Sequence, residues 1–235
     1  MKVVVLAAGK GKRMLPLTDS MPKALVPLKG KPLIQRSLEG FADAGASEIA
    51  LVIGYMGGDI RTFFRKAFQG IPIVYIEQEE QLGTGHGFGL ARDFCAGENF
   101  LASYCDLVFE GGFIENFFEF AEKNSARFDA VVAVRKTGDV SKFGFVEAEG
   151  NVVKNLVEKP KEKKTGLINA GLYWFSGKIF DAIEKTQPSE RGEIEITDSI
   201  KGFMKKGRLG CFEVRGKCLD IGTMEELKEA EKHVD

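Results

Sequence analysis

The residues best suited to chemistry form a short loop near the amino terminus. An apolar run ends at Leu6, two alanines lead to Gly9, and a second glycine, Gly11, is followed directly by Lys12 and Arg13. Small residues expose backbone N–H groups, and cations beside such groups bind phosphate oxygens. The spacing fits neither a P-loop nor a dinucleotide fingerprint, because no GxxxxGK[ST] aligns and the third glycine is missing. The loop therefore predicts a phosphate site of another kind.

The remaining reactive side chains exclude several mechanisms. The sequence has two histidines, His86 and His233, and four scattered cysteines without a CxxC pair. This inventory predicts no zinc site and no Ser-His-Asp or Cys-His arrangement. We expect His86 to order its loop or pair with backbone, His233 to lie at the surface, and the cysteines to be reduced and mostly packed.

The loop must be positioned by strands and helices, and the patterns typical of the two alternate through the first half of the chain. Short β-branched runs between amphipathic stretches indicate strand-helix-strand units of a mostly parallel sheet. We predict strands over 2–7, 48–53, 71–77 and 99–104, helices over 32–44 and 59–68, and a further helix that follows a glycine-rich loop around Gly83 and ends at about Phe94.

The second half has a more antiparallel pattern. Two apolar runs flank Glu149-Gly150-Asn151, which is typical of a hairpin turn. The predicted elements are strands over 144–148, 152–157, 169–175 and 209–214, and helices over 195–205 and 223–233.

Length and charge limit the classes of partner. A chain of 235 residues with 44% hydrophobic residues predicts one α/β domain, 1–235. Its net charge of -1 gives no electrostatic reason to expect nucleic acid or an anionic membrane as partner. No apolar run approaches the roughly 20 residues that span a bilayer, so we expect a cytoplasmic protein. A homo-oligomer is left open.

The phosphate loop and the segments after it resemble, in order, the sugar nucleotidylyltransferase family. The amino-terminal signature of that family is matched by Leu6-Ala-Ala-Gly-x-Gly-x-Arg13 and Pro22-Lys23-Ala24-Leu25-Val26-Pro27. Gln81-Leu82-Gly83-Thr84-Gly85-His86 is similar to N-acetylglucosamine-1-phosphate uridylyltransferases. The segments 193–198 and 219–223 resemble thymidylyl- and guanylyltransferase types. Each segment alone is common, whereas the ordered set covers almost the whole chain.

The resemblance implies a fold and a reaction. The fold is a three-layer, Rossmann-like nucleotide-diphospho-sugar transferase fold, an α/β architecture with a mixed, mostly parallel central sheet. Residues 1–110 would mainly bind a nucleoside triphosphate, with UTP or dTTP favoured, and 111–235 mainly a sugar 1-phosphate of the glucose or N-acetylglucosamine type. The acceptor attacks the α-phosphate and pyrophosphate leaves. Because a phosphate monoester is already an anion near neutral pH, with a second pKa of about 6, no general base is needed.

The resemblance also implies roles for single residues. Arg13 and Lys23 would compensate the charge that develops toward pyrophosphate, and Asp106 and Asp220 would hold Mg²⁺. The nucleotide would contact Leu6, Ala8, Gly9, Gly11, Gln78, Gly83 and Thr84, and the sugar phosphate would contact Gly144, Glu158, Lys159 and Asn169.

Base recognition is assigned to two of these residues. The amide of Gln78 offers a donor and an acceptor to the N3–H and carbonyl edge of uracil or thymine. Gly83 would allow the base to approach the backbone closely.

Three positions depart from the family pattern. Lys12 replaces a usual threonine, Cys105 a glycine before Asp106, and Cys218 a tryptophan found in many members. The alternatives are a guanylyltransferase for a mannose-type phosphate, another short transferase acting on N-acetylmuramate, heptose phosphate or a phosphocholine-type acceptor, and a catalytically silent regulatory member. The acetyl transfer of bifunctional relatives is expected to be absent.

Overall fold

The computed structural model describes residues 1–109 and 111–234. In chain order, its elements are β1 (Lys2–Ala7), β2 (Pro27–Leu28), β3 (Lys31–Pro32), α1 (Leu33–Asp43), β4 (Glu48–Ile53), α2 (Gly57–Phe64), β5 (Ala67–Phe68), β6 (Ile71–Glu77), α3 (Thr84–Gly89), α4 (Arg92–Cys95), β7 (Phe100–Tyr104), β8 (Leu107–Phe109), α5 (Phe113–Lys123), β9 (Ala130–Thr137), β10 (Gly144–Glu149), β11 (Val152–Glu158), β12 (Gly166–Phe175), α6 (Ile179–Glu184), α7 (Ile196–Lys205), β13 (Leu209–Glu213), β14 (Cys218–Asp220) and α8 (Met224–Ala230).

One mixed sheet organises the described ranges. Its strands follow the order β10-β11-β13-β9-β12-β7-β1-β4-β6-β5. Strand β1 is parallel to β4 and β7, and β4 is parallel to β6. Strand β12 runs antiparallel to both β7 and β9, and β13 is parallel to β9. The mixed, mostly parallel sheet predicted from the sequence is confirmed.

Helices cover both faces of this sheet and make three layers. Alternate side chains of β1 point to opposite faces, so Val3 and Val5 join one apolar cluster and Val4 the other. The first cluster includes residues of α1 and α5, and the second includes residues of α3, α6 and α7. A strand buried on both faces needs the nearly unbroken apolar run that β1 has.

The far end of the sheet closes on itself and positions the second half of the site. The predicted hairpin joins β10 to β11, and β10 also pairs with β12. In this arrangement Gly144 lies opposite Glu158 in the ladder. A register irregularity in β12 lies between Asn169 and Tyr173, where Gly171 has a φ of +79°.

Three predicted helices differ from the structure, and the closing one, predicted over 223–233, covers only Met224–Ala230. The helix predicted over 59–68 ends at Phe64 because Arg65 takes a φ of +57°, and Phe68 then folds back so that its ring lies 5.8 Å from that of Phe64. The helix predicted between the Gly83 loop and about Phe94 is divided into α3 and α4. Glycines are poor residues for a helix interior, and α3 has the sequence Thr-Gly-His-Gly-Phe-Gly.

Other features were not assigned from the sequence. No element had been predicted between Asp106 and Gly144, where the structure has β8, α5 and β9. The boundary expected between the two halves, at residue 110, lies outside the described residues. None of the helices in the described ranges has the length and apolar character needed to cross a bilayer.

Candidate active site

A cavity of about 500 Å³ opens where β1, β6 and β7 end. Ligands bind beyond the carboxyl ends of strands in open α/β sheets. Most residues predicted for the site line this cavity: Leu6, Ala8, Gly9, Gln78, Gly83, Thr84, Asp106, Gly144, Glu158, Lys159, Asn169 and Asp220. Residues distant in sequence are therefore brought to one place.

The amino-terminal loop forms one rim of the site. Gly11 has a φ of +62°, and its carbonyl accepts hydrogen bonds from the Met14 amide at 2.8 Å and the Thr18 hydroxyl at 2.9 Å. Arg13 is exposed, and its guanidinium lies 2.7 Å from the position that a Cβ on Gly222 would occupy. Gly11 and Arg13 thus lie beside the cavity rather than among its lining residues.

Two aspartates and a lysine, Asp106, Asp220 and Lys23, form a partly buried charged cluster. Asp106 follows β7, and the antiparallel pair β8 and β14 places Asp220 opposite Leu107. The Ile221 amide donates to the Asp106 carbonyl at 3.1 Å, which fixes the two aspartate-bearing segments side by side. Lys23 is not among the residues that line the cavity, but it is ion-paired to the carboxylate of Asp106, which does line it.

The charges of this cluster perturb one another. Burial, with the neighbouring Asp106 carboxylate second, raises the pKa of Asp220 to about 6. For Lys23, burial works to lower the pKa, but Asp106 and the other neighbouring acids outweigh it and the pKa is raised. Two carboxylates against one ammonium leave a site that favours a further cation.

The end of the cavity that contains Gln78 has a closely packed loop. Gln78 is 7% exposed, and its Nε2 lies 3.1 Å from His86 Nδ1 and 3.4 Å from the Gly83 carbonyl. His86 therefore orders its loop as expected, with a side chain rather than backbone as its partner.

The neighbouring protein backbone requires a glycine at position 83. A Cβ at this position would lie 2.6 Å from the Ile194 carbonyl, and its φ is +106°. Ile194 accepts from the Gly85 amide and donates to the Leu82 carbonyl, both at 2.7 Å. The sequence led us to expect glycine here because it would let a base approach the backbone closely. The structure gives a further reason, since the Ile194 backbone leaves no room for a side chain. Spacing along the sequence does not reveal this packing requirement.

The opposite end of the cavity is rich in hydroxyl and amide groups. Asn169 donates to the Tyr173 hydroxyl at 2.6 Å and accepts from the Gly171 amide at 2.9 Å. Burial raises the pKa of Tyr173 to about 12, so its hydroxyl is neutral. Lys159 takes a φ of +44° and its ammonium lies 3.9 Å from Glu158.

Several lining residues were not chosen from the sequence. Gln81 donates to the Ala8 carbonyl at 2.6 Å and thereby connects the loop before α3 to the amino-terminal loop. Arg191, Glu195 and Thr197 also line the cavity, and the buried Thr197 hydroxyl has no partner among the described residues. The segment 193–198 was recognised as a family string, which was the available signal, but no residue had been selected from it.

Comparison with known proteins gives consistent similarities. The family described as nucleotidyl transferase matches residues 2–235. The chain is 37% identical over 225 residues to the bifunctional protein GlmU of Methanococcus maripaludis strain C7, covering 94% of this chain and 51% of that protein. It is 33% identical over 238 residues to the UTP–glucose-1-phosphate uridylyltransferase AglF of Haloferax volcanii, covering 100% and 96%.

Solved structures show the same architecture. A UDP-glucose pyrophosphorylase complexed with UDP-glucose superposes with a TM-score of 0.90 at 26% identity, covering 99% of this chain and 97% of that one. A glucose-1-phosphate thymidylyltransferase from Bacillus anthracis, itself described as putative, superposes with the same score at 28% identity, covering 99% and 94%. The chain spans about half the length of the GlmU proteins it matches.

Proposed function

The chain belongs to the nucleotidyl transferase family, and on that premise we propose that it transfers a nucleotidyl group from a nucleoside triphosphate to a sugar 1-phosphate. The products are a nucleoside diphosphate sugar and pyrophosphate. The observation that carries the proposal is that one cavity is lined by residues of the amino-terminal loop, by Asp106 and Asp220, and by the hydroxyl-rich end. UTP or dTTP is the favoured donor, and glucose or N-acetylglucosamine 1-phosphate the favoured acceptor; the name of the relative AglF contains the pair UTP and glucose 1-phosphate.

The triphosphate would bind along the amino-terminal loop, with the base toward Gln78 and Thr84 and the phosphates toward Gly9 and Gly11. Backbone N–H groups of such a loop, together with cations, hold phosphate oxygens. Lys23 and Arg13 would compensate the charge that develops on the leaving pyrophosphate. The division into a nucleotide half, 1–110, and a sugar half, 111–235, is part of this proposal.

The acidic cluster fits a divalent cation. Mg²⁺ commonly takes one or two carboxylates plus substrate phosphate oxygens, and no group of three ligating side chains is found in the described ranges. Burial first, and then the neighbouring Asp106 carboxylate, raises the pKa of Asp220, and a cation bound beside both carboxylates would favour their ionised forms. Asp106 and Asp220 would hold Mg²⁺. When bound, Mg²⁺ neutralises phosphate charge as the bond to pyrophosphate breaks.

The acceptor would occupy the other end of the cavity. Glu158 would accept hydrogen bonds from sugar hydroxyls, Asn169 and Gly144 would shape the pocket, and Lys159 would pair with the acceptor phosphate. The phosphate oxygen attacks the α-phosphorus while the bond to pyrophosphate breaks on the far side. Holding the two substrates in line supplies much of the rate increase.

The test is a matrix of nucleoside triphosphates against sugar 1-phosphates, scored by pyrophosphate release with Mg²⁺ and with excess chelator. We expect release with UTP or dTTP, dependence on Mg²⁺, and loss of most activity in Asp106→Ala and Asp220→Ala. Absence of release with every pair would support a silent regulatory member. A preference for GTP with mannose 1-phosphate would support the guanylyltransferase alternative, and full turnover in chelator would remove the metal assignment.

A further inference from the structure

The amide of Gln78 is held in one orientation by its neighbours. Gln78 follows β6 at the edge of the cavity, and the side chain is 7% exposed. Its Nε2 is within 3.1 Å of His86 Nδ1 and 3.4 Å of the Gly83 carbonyl oxygen. Its Oε1 makes no hydrogen bond within the described part of the chain.

The Gly83 carbonyl decides which end of the amide faces the loop. A backbone carbonyl only accepts hydrogen bonds, so it favours the amide NH₂ and repels Oε1. With the NH₂ on that side, His86 Nδ1 must be the acceptor of the second bond. The imidazole is then the neutral tautomer that carries its proton on Nε2.

This arrangement depends mainly on His86. The contact with the Gly83 carbonyl is long, at 3.4 Å, whereas the one with His86 is 3.1 Å, close to ordinary hydrogen-bond length. Without an acceptor at position 86, the Gly83 carbonyl alone would oppose reversal of the amide. If the amide reversed, the NH₂ donor and the Oε1 acceptor of Gln78 would change places.

Uracil and cytosine also differ by an exchange of a hydrogen-bond donor and a hydrogen-bond acceptor. Uracil and thymine present an N3–H donor beside a carbonyl acceptor, whereas cytosine presents an N3 acceptor beside an amino donor, in nearly the same outline. We propose that His86 is a positioning residue that fixes the Gln78 amide and thereby selects uracil and thymine over cytosine. The inference rests on the proposed function, because it takes Gln78 to face the base.

The decisive variants are His86→Phe and His86→Asn. Phenylalanine keeps a ring of similar size without an acceptor, while the Oδ1 of asparagine can replace Nδ1 as acceptor. A hydrogen bond left unmade in a buried site costs about 1–3 kcal/mol, or roughly 5- to 150-fold. We expect the ratio of kcat/KM for UTP over CTP to fall at least about 10-fold in His86→Phe and to stay within about 3-fold of wild type in His86→Asn.

A purely structural role gives a different result. If His86 only supports the loop, His86→Phe lowers kcat/KM for UTP and CTP by the same factor and the ratio is unchanged, which overturns the proposal. A wild-type enzyme that uses CTP as well as UTP also overturns it.

A second measurement does not depend on turnover. The sequence has two histidines, so imidazole ¹⁵N spectra of the ligand-free protein contain two side chains, and His86→Phe identifies the signals of His86. We expect protonated Nε2 and unprotonated Nδ1 in the wild type, and a proton on Nδ1 would contradict the inference. If no substrate pair releases pyrophosphate, the proposed function fails, while this spectrum and the equilibrium binding of UTP against CTP still test the role of His86.

Discussion

Lys23 and Asp106 form an ion pair whose side chains are only 12% and 17% exposed. Buried charges are tolerated when they are paired, and removal of one partner leaves the other uncompensated. The pairing also means that Lys23 lies where it can respond to charge at the Asp106 end of the cavity. One residue thus supports the acidic cluster and, under the proposed function, stabilises the transition state.

Replacement of Lys23 tests this double role. Loss of one preorganised charge-stabilising group costs about 100- to 1000-fold in rate, so we expect Lys23→Ala to lower kcat on that scale. Lys31→Ala is the control, because Lys31 is also ion-paired, to Glu39 at 2.8 Å, but is 38% exposed. Thermal unfolding shows whether the variant folds, and a folded Lys23→Ala with normal kcat would remove Lys23 from the mechanism.

Asp220 is expected to oppose stability while it serves function. Its pKa is raised to about 6, first by burial and then by Asp106, above an unfolded value of about 3.9. The ionised form is therefore penalised in the fold, and the penalty grows from about pH 4 to pH 6 and is constant above. We expect Asp220→Asn to stabilise the metal-free protein by about 2–3 kcal/mol at pH 8 and to lose most activity.

The measurement is thermal or denaturant unfolding in chelator at pH 8 and near pH 4. The stabilisation by Asp220→Asn should nearly vanish at the lower pH, because both forms then carry an uncharged side chain. An unstable variant at pH 8 would show that the carboxylate is not penalised. Added Mg²⁺ should stabilise the wild type more than the variant.

The sequence predicted the repeated features of the fold more fully than its individual contacts. Strand β1 could be predicted because a run such as Val3-Val4-Val5 is diagnostic of a strand buried on both faces. The apolar run at the start of β9 gives a similar signal, but it was not assigned. The end of α2 could not be read from periodicity, because it is set by the positive φ of Arg65.

In the site, too, the sequence predicted some features and could not predict the contacts between distant residues. The residue types around Gly9 and Gly11 led to the prediction of a phosphate site, and the family resemblance of the surrounding segments strengthened that prediction. The proximity of Asp106 and Asp220 depends on the pairing of β8 with β14, which spacing cannot predict and only the family resemblance implied. The His86 contact with Gln78 is a matter of side-chain orientation, for which the sequence has no periodic signal.

Gly83→Ala should disturb the base end of the cavity. The added Cβ would lie 2.6 Å from the Ile194 carbonyl, at a φ of +106°, so the contact between the two loops must open. Steric strain at such a backbone position costs about 1–3 kcal/mol. We expect lower stability and a raised KM for the nucleotide. Gly58→Ala is the matched control, because its Cβ would meet nothing within 4 Å and alanine favours the helix; equal effects of both variants would refute the packing argument.

Asp129 anchors the end of the sheet away from the cavity. Its carboxylate accepts from Arg208 Nη2 and from Lys178 Nζ, each at 2.9 Å. The hydrogen bond from Arg208, followed by that from Lys178, lowers the pKa of Asp129 although burial opposes the shift. The stabilisation is therefore complete above the unfolded pKa of about 3.9 and is lost as the pH falls through the folded value.

We expect Asp129→Asn to lower the free energy of unfolding by about 1.5–3 kcal/mol at pH 7 and to leave kcat unchanged. The difference from wild type should shrink as the pH falls below about 4. Asp181→Asn serves as control, because Asp181 is 67% exposed and its bond to Arg92 is 3.2 Å, so its effect should stay below about 1 kcal/mol. A pH-independent difference would show that the charge of Asp129 is not the cause.

Gln78→Leu tests whether the Gln78 amide binds the base, which is a separate question from whether His86 fixes the orientation of that amide. Leucine keeps much of the side-chain volume but removes both hydrogen-bonding ends of the amide, so uracil and thymine each lose their partner. A polar group left unpaired costs about 1–3 kcal/mol, or roughly 5- to 150-fold in kcat/KM. A purine donor, which presents a different outline at this point, should lose little.

The comparison uses kcat/KM for UTP, dTTP, CTP and GTP in the wild type, Gln78→Leu and His86→Phe. Gln78→Leu should lower the values for UTP and dTTP without a gain for CTP, since no amide remains to be reversed. His86→Phe should instead shift preference toward CTP, because the amide is present but no longer fixed. A wild-type preference for GTP, or a pyrimidine preference that survives Gln78→Leu, would show that another group reads the base.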